Sequence, residues 1–320
     1  ITTRTPRIEN PNRMNKAKTL AALLDATALK FPTRRALVSP FQSHSFTYKE
    51  LSETSDALAG FLQLYGFERK DVLISDLPNT TENLLLQLAC NRLGVYYGTV
   101  KNLEQMAQFP KVKGAVAATS EGFLAETNLP LPYLSGDFLV DLIHNGGRKS
   151  AGISLKDYTL EHYDQEGHED AVNLPHAFYN SPTTPYTNRE LLQHGQEAAE
   201  ELIVVEQDVI CISVTLCHAF GIGSAVGSAL LRGACMALPA IGGIQGCGVP
   251  SERAAATFEV LETEKCTLLF ADTHTLKALP DHPERLNLRG GVCKIGSGSD
   301  WLEETRKYGG ISLKTMGKCD

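Results

Sequence analysis

The strongest constraint on this chain is an alternation of short apolar runs with amphipathic stretches of helical length. Residues 19–30 read as a helix with Leu20, Leu23 and Leu24 on one face, ended by Phe31 and Pro32. Residues 36–38 and 45–47 read as short strands around a turn. Residues 48–65 place Leu51, Leu58, Phe61 and Leu62 at helical spacing. A strand at 71–75, a helix at 81–93 and a strand at 95–100 follow. Between 102 and 175 the pattern degrades, with Gly, Pro and His interspersed. It resumes as a helix at 189–202, a strand at 209–216, a helix at 224–231 and a strand at 234–238. A helix at 252–264 and strands at 267–270 and 291–295 complete it. Strands alternating with helices imply an α/β fold of layered parallel sheets with helices on both faces.

Composition narrows the classes. The 320 residues are 42% hydrophobic, enough to build a core, which excludes a mainly disordered chain and a small disulfide scaffold. A net charge of −7 weighs against nucleic acid as a partner. Charge is uneven, because residues 1–18 carry Arg4, Arg7, Arg13, Lys16 and Lys18 against the single acid Glu9. This basic arm, starting at Ile1 rather than Met, fits a solvated terminus, a segment lying on a partner, a processed end or an expression truncation. The eight cysteines form no C-x-x-C pair and no zinc-ligand spacing. They read as buried free thiols of a reducing compartment.

Two patterns invite over-reading. Between Asp208 and Arg232 lie 23 residues without formal charge, long enough to span a bilayer. Ile210, Ile212, Val214 and Leu216 alternate with Cys211, Ser213 and Thr215, however, and glycines follow, so strand, loop and helix are expected and no transmembrane segment. Gly221, Gly223 and Gly227 mimic a dinucleotide fingerprint, yet no acid follows the next strand to hold a ribose. Tight helix–strand packing explains these glycines better. His162, His168 and His176 show no metal-ligand spacing, and Glu303 and Glu304 read as a solvated helix face.

The ordered series of segments resembles the N-terminal domain of AMP-forming acyl-CoA synthetases, in the adenylate-forming ligase superfamily. The resemblance starts at Thr19-Leu-Ala-Ala-Leu-Leu24 and Phe31-Pro-Thr-Arg-Arg-Ala-Leu-Val38. It continues through Phe46-Thr-Tyr-Lys-Glu-Leu51, Asp71-Val-Leu-Ile74, Leu77-Pro-Asn79 and Thr187-Asn-Arg-Glu-Leu-Leu192. Thr215-Leu-Cys-His-Ala-Phe-Gly221, Gly233-Ala-Cys-Met-Ala-Leu-Pro239 and Gly296-Ser-Gly298 complete it. The family joins a carboxylate to AMP and then passes the acyl group to a thiol, usually that of coenzyme A.

At the family's phosphate loop, Tyr-x-Ser-Gly-Thr-Thr-Gly-x-Pro-Lys-Gly, this chain reads Tyr179-Asn-Ser-Pro-Thr-Thr-Pro185. Ser181, Thr183 and Thr184 keep hydroxyls, but Pro182 replaces the first glycine and removes an N–H donor. The later glycines and the lysine are missing. Apart from the resemblance, this stretch is a surface turn. His218 matches the histidine beside the family's acyl pocket; its alternative is a strand-end histidine satisfied by a neighbouring carbonyl. Gly296 and Gly298 stand where a loop holds adenine. Met316, Cys319 and Asp320 stand where the family has an adenine-stacking tyrosine, a phosphate-contacting threonine and a magnesium-binding glutamate.

These departures predict no catalytic residues, no metal and no cofactor, and weigh against ATP and coenzyme A binding. The expected organisation is the arm 1–18, a first α/β subdomain 19–175 and a second 176–320, with the family's C-terminal domain absent. The expectation is a pseudoenzyme serving as a structural or accessory subunit among other protein subunits. A mitochondrial complex is one host suggested by the arm and the missing Met. Two alternatives stay open: an acyl- or nucleotide-binding module around His218 and 296–298, and a ligase completed by another chain.

Overall fold

The computed structural model describes residues 17–118, 133–145, 155, 158, 177–240 and 249–318. In chain order the elements are α1 (Leu20–Lys30), β1 (Arg35–Ser39), β2 (His44–Thr47), α2 (Tyr48–Leu64), β3 (Val72–Ser75), α3 (Thr81–Leu93) and β4 (Tyr96–Thr99). Then come α4 (Leu103–Met106), β5 (Val112–Ala117), β6 (Tyr133–Ser135), α5 (Gly136–His144), β7 (Phe178–Ser181) and β8 (Thr184–Tyr186). The remainder is α6 (Asn188–Glu201), β9 (Val209–Ser213), a π-helical segment (Ala219–Val226), α7 (Gly227–Arg232), β10 (Cys235–Ala237), α8 (Pro250–Thr263), β11 (Leu268–Asp272), α9 (Thr273–Ala278), β12 (Gly290–Ile295), β13 (Asp300–Tyr308) and β14 (Ile311–Gly317).

Local chemistry sets many helix boundaries. Thr47 and Thr187 each close a reciprocal capping box, with Glu50 and Glu190 reaching back to the cap N–H. Thr19 and Thr80 cap α1 and α3, and left-handed Gly94 and Gly233 end α3 and α7.

Two sheets result. One has eight strands in the order β13-β14-β12-β11-β9-β10-β1-β2, parallel except for the hairpins β13–β14 and β1–β2 at its edges. The other has six, β6-β5-β3-β4-β7-β8, parallel except for the edge hairpin β7–β8. This is the expected layered α/β class. A division at residue 175 does not separate the sheets, because β1 and β2 join the larger sheet and β7 and β8 join the smaller.

Strand alternation sorts side chains into layers. Leu37, Ile210, Ile212, Phe270, Val292 and Met316 enter the main core with Leu73 and Tyr97 of the smaller sheet. The intervening Val38, Cys211, Leu269 and Cys293 face α8 and α9 in a second core. Val72, Ile74, Tyr96 and Tyr179 form a third on the far side of the smaller sheet. The described cysteines Cys90, Cys211, Cys217, Cys235, Cys266 and Cys293 are buried thiols outside any disulfide, as expected.

Several expectations need correction. The strand expected at 209–216 ends at Ser213, and the helix expected at 224–231 is a π-helical segment running into α7. Glu303 and Glu304 are exposed on β13, not on a helix; alternation there is masked because the edge hairpin leaves 303–307 open to solvent. The degraded stretch contains α4, β5, β6 and α5. No helix among the described residues is long and apolar enough to cross a membrane.

Candidate functional site

The residues aligned with the phosphate loop fold into the tight turn between β7 and β8. Ser181 pairs with Thr184 across the hairpin, leaving a two-residue connection of Pro182 and Thr183. Pro182 is buried, and Thr183 and Thr184 are exposed. The Ser181 hydroxyl donates to Thr184 Oγ1 at 2.9 Å, so two of the remaining hydroxyls bind each other. The turn is closed and short, without the run of free N–H groups that cradles phosphates.

One extra residue, Asn180, interrupts the β7–β8 register. Such a bulge re-aims its side chain, and here Asn180 Oδ1 lies 3.1 Å from His218 Nδ1. His218 therefore meets a side-chain amide carbonyl. It immediately precedes the π-helical segment, and its backbone carbonyl accepts from Gly221 and Ile222. Desolvation, with Lys101 and Lys294 adding repulsion, lowers the His218 pKa and favours its neutral form at pH 7. The segment leading to His218 is held by α3 and the loop before it. Asn79 donates to the Val214 carbonyl at 2.5 Å and accepts from the Leu216 N–H at 3.0 Å, and Gln87 donates to the Leu216 carbonyl.

The glycines after His218 work by close approach. A Cβ on Gly221 would stand 2.2 Å from the Thr215 carbonyl oxygen, and one on Gly227 3.0 Å from Gly195 Cα in α6. Part of the tight packing is thus between two helices, not between helix and strand alone.

Met316, singled out from the sequence, lies in a row with two residues that sequence reasoning did not single out, Lys294 and Trp301. Register places Lys294 beside Met316 and Met316 beside Trp301, across β12, β14 and β13. Lys294 shares the inward face of β12 with Val292. Its ammonium is buried, with no hydrogen-bond partner among the described residues, and lies 5.9 Å from the Phe220 ring centroid. Burial lowers the Lys294 pKa, and Asp300 opposes that shift. Trp301 Nε1 and His194 Nδ1 are likewise buried and unpaired. The His194 pKa is also lowered, first by desolvation and further by Lys294, against the acids Glu197, Glu190 and Asp300. Met316 is fully buried and accepts a long contact from Ser224 Oγ at 3.9 Å. The only sequence signal was a lysine inside the otherwise apolar run Val292-Cys-Lys-Ile295.

The structure thus brings His218 to Asn180 beside the aligned turn, and Lys294 into electrostatic range of His218. Gly296 and Gly298 follow β12 with φ of 56° and 82°. A Cβ on Gly298 would come 2.7 Å from the Gly317 carbonyl oxygen, so this loop lies against the end of β14. Cys319 and Asp320 lie outside the described residues, as do His162, His168 and His176.

Comparison with known proteins bears on the fold. The family model described as "AMP-binding enzyme" matches residues 24–106. The chain is 25% identical over 303 residues to a putative acyl-CoA synthetase, YngI, of Bacillus subtilis, covering 83% of this chain and 53% of that protein. It is 33% identical over 95 residues to the mitochondrial medium-chain acyl-CoA ligase ACSF2 of Rattus norvegicus, covering 30% of this chain and 15% of that one. The chain spans about half the length of the first curated relative it matches. Among solved structures, the inhibitor-bound N-terminal domain of FACL13 from Mycobacterium tuberculosis superposes with a TM-score of 0.67 at 15% identity, covering 87% of this chain and 70% of that one. A Mycobacterium tuberculosis fatty acyl CoA synthetase gives 0.65 at 14% identity, covering 88% and 56%. The fold is that of the N-terminal domain of acyl-CoA synthetases.

Proposed function

We propose that this chain, similar in sequence to AMP-forming acyl-CoA synthetases and with the fold of their N-terminal domain, is a non-catalytic domain serving as a structural or accessory subunit of a larger protein assembly. One observation carries the reading: a two-residue hairpin stands where a triphosphate would need a long donor-rich loop. In-line transfer from ATP depends on donors and cations placed around the phosphates, and these act together. Ser181, Pro182, Thr183 and Thr184 supply neither an extended loop nor a lysine. Met316 adds an apolar side chain buried in the core where the family stacks adenine on a ring. The mitochondrial relative makes a mitochondrial assembly a suitable host to examine first.

The test is carboxylate-dependent exchange of pyrophosphate into ATP by the purified chain, across short, medium, long and aromatic acids. No exchange above a protein-free control is expected. Exchange that depends on both carboxylate and chain would overturn the reading. Co-purification at fixed stoichiometry with specific subunits from the native source is the positive counterpart.

A second reading, a retained binding module, is favoured by the buried Lys294 ammonium near His218, which has no hydrogen-bond partner among the described residues. A carboxylate is the complementary ligand for such a group. Saturable binding of a carboxylic acid or acyl-adenylate analogue that disappears in Lys294→Met would support this reading over a purely structural role.

A further inference from the structure

Away from this site, three side chains that are remote in sequence converge where the two sheets' layers meet. His44 is on β2, at the edge of the larger sheet; Glu82 is in the first turn of α3; His144 ends α5, which follows β6 of the smaller sheet. His144 Nε2 lies 2.5 Å from Glu82 Oε1, and His44 Nδ1 lies 3.7 Å from the same oxygen. One ligand atom from each residue falls within 4.8 Å of the others. We propose that His44, Glu82 and His144 form a binding site for a divalent transition-metal ion of the Zn²⁺ class.

The donor set is the first argument. Two imidazoles and one carboxylate suit Zn²⁺, whose three-ligand sites leave a fourth position for water or another oxygen. The Thr81 hydroxyl is in place as that oxygen or as a bond to the bound water. It lies 3.4 Å from His44 Nδ1, 3.5 Å from His144 Nε2 and 3.0 Å from Glu82 Oε1.

Burial is the second. The Glu82 side chain is only 3% exposed, and the neighbouring imidazoles are its only ion-pair partners among the described residues. Gln42 Nε2 holds the other oxygen, Oε2, at 2.8 Å, while Gln42 Oε1 accepts the Thr81 N–H at 3.0 Å. Outer hydrogen bonds of this kind fix a carboxylate's direction toward a metal.

The third argument is the arrangement of the rings. His44 and His144 stack with centroids 3.3 Å apart and planes 11° from parallel, which puts both nitrogens on the same oxygen. Neutral imidazole is the ligating form. On binding, the rings fan apart so that each lone pair points at the ion. The hydrogen bridging His144 Nε2 and Glu82 Oε1 moves to the other ring nitrogen or to solvent, and the metal takes its place. A filled site would tie β2, α3 and α5 together.

The test titrates the metal-stripped full chain with Zn²⁺ against a chromophoric chelator and records the Co²⁺ spectrum. One ion per chain is expected, with Co²⁺ ligand-field bands and no thiolate charge-transfer band. The latter separates this site from the cysteines. Glu82→Gln and His144→Ala should each weaken Zn²⁺ at least about 100-fold, and Gln42→Ala about 10-fold. His44→Ala, at a partly exposed position on the edge strand β2, provides a variant expected to keep its circular dichroism and melting profile in the stripped state while losing affinity. Absence of a bound ion, a thiolate spectrum, or Zn²⁺ affinity unchanged in a folded His44→Ala chain would each overturn the proposal.

Discussion

Replacing Lys294 with Met tests whether the buried ammonium is held at a cost to the fold. The wild-type Nζ is buried and, among the described residues, has no hydrogen-bond partner. A buried unsatisfied donor costs about 1–3 kcal/mol, and more when charged. Against this, the ammonium at 5.9 Å from the Phe220 centroid contributes about 0.5–1 kcal/mol. Met keeps the length of the stem and its packing on the inward face of β12. The net expectation is a stabilisation of about 1–2 kcal/mol, or about 2–4 °C in Tm. Urea denaturation should show a higher midpoint with an unchanged slope.

The pH dependence supplies an independent signature. Burial lowers the Lys294 pKa in the folded chain, with Asp300 opposing. The unfolded chain therefore retains a proton, up to about pH 10.4, over an interval in which the folded chain has already released it. Wild-type stability should gain a rising contribution with pH across that alkaline interval, and Lys294→Met should lack it. A destabilised variant, or one with the same alkaline rise, would refute the assignment of Lys294 as an uncompensated buried charge.

Two further substitutions probe the frame around the site. Asp208 is buried and binds Arg289 through both oxygens, at 2.9 and 2.6 Å, together with Thr267 Oγ1 and the Val205 N–H. Burial would raise its pKa, but these bonds outweigh it and hold the carboxyl below the usual range. Its contribution is complete above the unfolded value of about 3.9 and is lost as pH falls through the folded value, so Asp208→Asn should cost about 2 kcal/mol at pH 7 and progressively less below pH 4. Equal losses at pH 7 and pH 3 in denaturant titrations would contradict this. Gly221→Ala would place a Cβ 2.2 Å from the Thr215 carbonyl oxygen and should cost about 3 kcal/mol or more, displacing His218 resonances in NMR spectra; a neutral effect would show that the π-helical segment is not tightly seated on the strand end.

Much of the element order was legible because it rests on local periodicity. The helix expected at 81–93 occurs at those residues, the one expected at 48–65 ends one residue earlier, and the one expected at 189–202 is shifted by one residue at both ends. Each starts at a threonine cap. The core strands were legible because both faces are buried, as at Ile210-Cys-Ile212. The segment expected as a helix at 224–231 is helical, but its π-helical start at Ala219 was not legible, because Gly221 and Gly223 permit a π-helical path that sequence spacing does not distinguish from a loop. The β13–β14 hairpin was missed because its edge position frees residues 303–307 from any apolar pattern.

The sequence by itself determined the α/β alternation, the buried thiols and the proline-containing replacement of a phosphate loop. Each of these is a property of neighbouring residues along the chain. Only the tertiary structure decided that Lys294, Met316 and Trp301 form a row, since β12, β14 and β13 are adjacent in an order that differs from their chain order. It alone brought together His44, Glu82 and His144, whose spacings of 38 and 62 residues carry no periodic signal. Strand order and layer packing are chosen by burying apolar faces over long loops, so side chains remote in sequence become neighbours without any local pattern to announce them.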